Sequence, residues 1–200
     1  MKKLITILLT LVSLTVNSQV IDWDNFDTSI ADSVLFVEMN KFRDSLGLST
    51  FIYSKVIHDN ISTYSTGEMV KEKRTFHPDK KDLVKKYKSS TKTEIINKAN
   101  IKTYNSPILV GPYEVGVGTF QKEGLTYYSN TYSGLAKKLI ERWCKSKPHY
   151  EILILEHGNG KTSIGVGAGS IQLGQGETNS GGYFQWDAIY ATFHISKLIY

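Results

Sequence analysis

A single cysteine, Cys144, stands among the 200 residues. No internal disulfide can form, so the fold must rest on its hydrophobic core. No apolar run reaches the roughly 20 residues that a membrane-spanning helix needs. The apolar run from Leu4 to Val16 falls short and contains Thr and Ser. No cysteine follows it, which excludes a lipoprotein attachment site. Neither sign of charge dominates: 24 Lys and Arg face 19 Asp and Glu, a net charge of +5. That balance is too weak to argue for nucleic acid. No repeat of fixed period is present. GNGKTS (Gly158 to Ser163) ends like a phosphate-binding loop, but Leu155 stands where the pattern needs its first Gly. A strand-like stretch, not a helix, follows it, so nucleotide binding is not expected.

What is present describes a globular chain. Apolar residues make up 40% and aromatics 12% of the sequence, enough for one domain with a real core. Residues 1–18, MKKLITILLTLVSLTVNS, have the layout of a secretory signal peptide. The expected organisation is a signal over 1–18, a lead-in over 19–29 and one domain over 30–200. Removing Lys2 and Lys3 with the signal leaves 22 basic and 19 acidic residues, a net charge of +3. The chain is therefore expected to be secreted, extracellular or periplasmic, with no membrane span after processing. A disulfide-free exported chain suits a bacterial source, and cytosolic cofactor chemistry is not expected.

Apolar spacing predicts a helix over about Thr28 to Leu46, stopped near Gly47, and a second over Ser54 to Lys73 with Ser54 as its cap. Residues 71–92 hold nine Lys or Arg against three acids and read as a solvated loop or an exposed helix face. Residues 95–130, rich in β-branched residues, aromatics and Gly, read as strands or as loops packed on the core. Helical spacing returns at Leu135, Leu139, Ile140 and Trp143, with Ser133 as a possible cap. SIGVGAGSIQLG and YFQWDAIYATFHIS then read as a β-hairpin joined by a long polar turn. The order predicts an α+β domain with helices on an antiparallel sheet.

The stretch WCKSKPHYEIL, Trp143 to Leu153, carries the most information. Pro is poorly tolerated inside a helix and well tolerated in its first turn. The helix holding Trp143 should therefore end near Lys145, with Ser146 capping a short new helix that starts with Pro148 and His149. A His there is held neutral by the dipole and is free to accept a proton or bind a metal. Equally, Ser146 can be a plain cap and His149 a packing residue.

Several segments together resemble the bacterial branch of the CAP superfamily (cysteine-rich secretory proteins, antigen 5, pathogenesis-related 1), also called the SCP domain. MNKFRDSLGLSTFIYS (Met39 to Ser54), RTFHPD with His77, TEII with Glu94, WCKSKPHYEIL, and the closing SIGVGAG and YATFHI occur in the family's order. The resemblance covers about residues 30–195. It implies an α-β-α sandwich, helices on both sides of a mainly antiparallel sheet. It also implies a cavity formed by His77, Glu94, Ser146 and His149. His77 and His149 would be ligands to zinc or another divalent cation, with Glu94 a third ligand or an orienting partner. Ser146 stands where eukaryotic members have Glu, and Thr93-Glu94-Ile95 lacks the Gly and Asn around the family's acid. No catalytic residue is assigned. The family reading is a secreted module binding a metal, small ligand, lipid or protein partner. Alternatives are an interaction protein working through its loops and a metal-assisted hydrolase. His58, His157 and His194 are expected to be superficial or incidental, and Cys144 a buried helix residue.

Overall fold

Asp27 starts the first helix: its carboxylate accepts from Ser29 N at 2.9 Å and Ile30 N at 3.1 Å. The computed structural model describes residues 19–99, 107–123, 129–154, 163–178 and 184–199, so the expected signal lies outside the described residues. Helix α1 (Thr28–Ser45) buries Ala31, Val34, Leu35 and Met39 along one face. Gly47 ends it in the left-handed region, at φ +70°. After β1 (Ile52–Tyr53), Ser54 Oγ caps α2 (Lys55–Ile57) by accepting from Ile57 N at 3.1 Å. The helix runs on through a π-helical turn (His58–Ser62) into α3 (Thr63–Glu72), which Lys73 closes at φ 55°.

Much of the Lys-rich stretch is helical, as α4 (Lys81–Lys98). It buries only Thr91 and Ile95, so its lysines face solvent as an amphipathic segment requires. The ambiguous middle supplies a strand, β2 (Ile108–Gln121). Helix α5 (Tyr132–Cys144) is capped by Thr131 rather than Ser133, with Thr131 Oγ1 accepting from Gly134 N at 3.1 Å. The chain breaks as the proline requires, and α6 (Lys147–Leu153) begins after Ser146. Strands β3 (Ser163–Thr178) and β4 (Phe184–Ile199) pair antiparallel, as the hairpin pattern predicts.

The fold is mixed α/β, with a sheet ordered β1-β3-β4-β2. β4 is antiparallel to both neighbours, and β1 joins β3 in parallel. Side chains alternate across β4, so its two faces meet different helices. Ile189, Ala191, Phe193 and Ile195 pack with Leu35 of α1 and with Leu135, Leu139 and Trp143 of α5. Ala188 and Tyr190 meet Met69 of α3 on the other face, and Leu198 meets Ile57 and Ile95 there. Arg43, fully buried, ties the end of α1 to the loop that follows it and to the C-terminal end of α6. Its Nη1 donates to Leu153 O at 2.6 Å, its Nε donates to Ser49 O at 2.8 Å, and its guanidinium lies 4.2 Å from the Phe51 ring centre. Among the described residues no helix is long and apolar enough to cross a membrane.

Candidate functional site

Glu114 of β2 sits directly opposite His194 of β4, and His194 opposite Ala168 of β3. The ladder shifts register between Glu114 and Gly116, an irregularity that re-aims side chains at a sheet edge. Two groups from the segment between α3 and α4 close on this point. His77 Nδ1 and Lys80 Nζ each hydrogen-bond one oxygen of Glu114. Lys80 Nζ also lies 3.0 Å from His194 Nε2. Behind His194, the π-helical turn delivers Ser62, whose Oγ lies 3.0 Å from His194 Nδ1 and donates to Ala168 O at 2.9 Å.

These contacts define the protons. The one hydroxyl proton of Ser62 goes to Ala168 O, so Ser62 Oγ accepts from His194 Nδ1–H. His194 Nε2 then carries the lone pair that receives Lys80. Burial lowers the His194 pKa, and the Lys80 charge acts the same way against the pull of Glu114. His194 is thus a neutral imidazole, fully buried. Burial alone would raise the Glu114 pKa. The hydrogen bond and the charge of Lys80 overcome it and hold the carboxylate far below its ordinary range. The Ser62–His194 pair has the atoms of a nucleophile and a base, but both residues are buried and the hydroxyl proton is already committed.

His149 stands on α6, which packs beside β2, within electrostatic reach of the cluster. Its pKa is lowered, first by burial, then raised somewhat by Glu114 and lowered again by His77. Glu114 and His77 are thus the neighbours that act on it. Glu94 is not the acid beside His77 and His149. Its carboxylate accepts from Ser54 Oγ at 2.6 Å, Lys55 N at 2.8 Å, Val56 N at 3.2 Å and Lys98 Nζ at 2.8 Å. Those bonds satisfy the amides that open α2, a structural role for a half-buried acid at a helix start. Ser146 is the N-cap of α6 by backbone only: its carbonyl accepts from Tyr150 N at 2.9 Å, and its hydroxyl makes no capping bond.

Two histidines expected to be incidental are not. His194 is the buried centre of the network described above. His58, at the start of the π-helical turn, is bridged by two carboxylates: Asp32 Oδ2 at 2.8 Å from Nε2 and Asp59 Oδ1 at 2.7 Å from Nδ1. His157 lies outside the described residues. Cys144 is half-buried rather than buried, and its thiol pKa is pushed up by burial and by Glu141. Sequence reasoning missed Glu114, Lys80 and His194. Glu114 did carry a signal, as a lone acid inside the apolar, Gly-rich ILVGPYEVGVG. Lys80 is indistinguishable from its lysine neighbours.

Two imidazoles and a carboxylate are chemically apt donors for a divalent ion. Their arrangement here does not fit one. Glu114 is engaged by His77 and by the Lys80 ammonium, which already supplies positive charge at that oxygen. Among the described residues no three His, Cys, Asp or Glu side chains converge as a metal site. Compared with family models, with curated proteins and with solved structures, the chain gives no match to any of them.

Proposed function

We propose that the chain is a secreted CAP-domain binding module whose cavity is formed by His77, Glu114 and His149. The observation that carries this reading is the convergence of three distant segments on Glu114. The helical cover on both faces of β4, and the short helix opened by Ser146 and Pro148, support the α-β-α sandwich of that family. His77 Nδ1 is spent on Glu114, so its Nε2 is the atom available to a ligand, beside the neutral imidazole of His149. The cavity presents a hydrogen-bonding surface rather than a nucleophile, so binding and not turnover is its role. A divalent cation enters only by displacing Lys80 from Glu114.

Zinc titration calorimetry tests this on the purified chain and on His77→Ala, His149→Ala and Lys80→Met. The expected result is weak binding by the wild type, micromolar binding by Lys80→Met, and loss of that binding when His77→Ala or His149→Ala is added. Absence of zinc binding in Lys80→Met, with the variant folded, would remove the two histidines from a common cavity.

A further inference from the structure

We propose that the groove running from His77 along α4 binds a linear acidic glycan through Lys81, Lys85 and Lys88. The groove encloses about 700 Å³ and is walled by those lysines, with Pro78 and Val84 as its apolar floor and His77 at one end. The three lysines recur at i, i+4 and i+7, so they share one face of the helix. They span about 10 Å of its axis at 1.5 Å per residue.

The charge pattern sets this helix apart. Many lysines elsewhere meet carboxylates, among them Lys41 on Glu38, Lys55 on Asp59, Lys73 on Glu177 and Lys138 on Glu141. Lys80, at the mouth of the groove, is paired with Glu114. Lys81, Lys85 and Lys88 have no carboxylate within ion-pair distance among the described residues. Asp79, the acid that lines the groove, turns an oxygen to the Lys81 backbone N–H at 3.1 Å. Three like charges at helical spacing repel one another, and a polyanion laid along them relieves that repulsion.

The same wall selects the class of polymer. Lysine reads charge as a point and has no planar fork for bidentate recognition. No Phe, Tyr or Trp lines the groove, so a nucleic acid would find no platform for its bases. A chain of sugars with repeated acid groups needs only the row of ammoniums and an apolar floor for its C–H faces.

Calorimetry with an oligogalacturonate tests the assignment at about 50 and 200 mM salt, where screening differs strongly. Parallel arms use an oligodeoxythymidylate of equal charge and inorganic phosphate. The variants are Lys81→Glu/Lys85→Glu/Lys88→Glu, the milder triple change to Gln, and a control with Lys138, Lys145 and Lys147 changed to Glu. Circular dichroism checks that each folds. The expected result is salt-sensitive binding of the oligogalacturonate, weakened about tenfold or more by either groove triple and preserved in the control. Phosphate alone and the oligodeoxythymidylate bind more weakly. The site is overturned by no binding, by equal loss in the control, or by tighter binding of the oligodeoxythymidylate. His77→Ala runs alongside. A loss in that variant as large as in the groove triples would place the ligand in the cavity and overturn the groove, whereas the cavity reading rests on the zinc titrations alone.

Discussion

Lys80 Nζ bonds Glu114 on β2 and lies 3.0 Å from His194 Nε2 on β4, so one ammonium joins the segment before α4 to two strands. Lys80→Met leaves the Glu114 carboxylate half-buried with His77 as its remaining cluster partner. Its expected cost is about 1–3 kcal/mol, read by urea unfolding, because a desolvated charge has lost its counter-charge.

The same cluster sets an acid limit on stability. The folded Glu114 pKa is depressed from the ordinary 4.5. Its contribution is therefore present above the unfolded pKa and is lost as pH falls from about there through the lower folded value. Glu114→Gln should flatten the stability–pH curve below about pH 4.5. An unchanged acid slope in that variant would mean the carboxylate is not held ionised.

His58 acts in the opposite direction. Its pKa is raised above 6.5, first by the hydrogen bond it donates to Asp32 and then, against burial, by Asp59 and both charges. Asp32, Asp59 and, through Asp59, Lys55 are the charged groups around it, with the Tyr53 ring 5.9 Å away. A raised histidine pKa stabilises fully below the unfolded value, and the contribution is lost as pH rises through the folded one. His58→Gln should therefore remove a loss of stability that the wild type shows as pH rises above about 6.5. Melting temperatures across that range measure it. Asp32, whose pKa burial raises, changes stability in the acid range instead.

Gly116 tests the packing of β2 on α5. A Cβ built there would lie 2.3 Å from Trp143 Cδ2, closer than any side chain tolerates. Gly116→Ala should destabilise by about 1–3 kcal/mol, since the indole is buried and has nowhere to retreat. Because α6 follows Trp143 directly, the His149 resonance should shift with it in an NMR spectrum of the folded variant.

Glu94 and Glu114 separate cleanly by experiment. Glu94→Gln should cost about 1–2 kcal/mol by weakening the start of α2. It should leave zinc binding by the Lys80→Met background unchanged. Loss of that binding would return Glu94 to the cavity.

Local chemistry was readable in the chain wherever one residue type permits one backbone. Pro148 ended α5 and opened α6, Ser54 capped α2, and the alternation after Ser163 made the closing hairpin. Periodicity found α1 and the α2–α3 run, though not the π-helical turn inside it. It also left open whether the Lys-rich stretch was helix or loop, because α4 buries so little that its pattern is faint. The acid of the site could not be chosen from order alone. Glu94 and Glu114 are both isolated carboxylates in their segments, and only the strand register sets Glu114 opposite His194 while α2 claims Glu94. The same holds for Lys80, one lysine among many, and for His194, hidden in an apolar strand. Capping and breaking depend on a few adjacent residues, so sequence determines them. Which charge meets which across more than a hundred residues depends on sheet register and burial, and these exist only once the chain has folded.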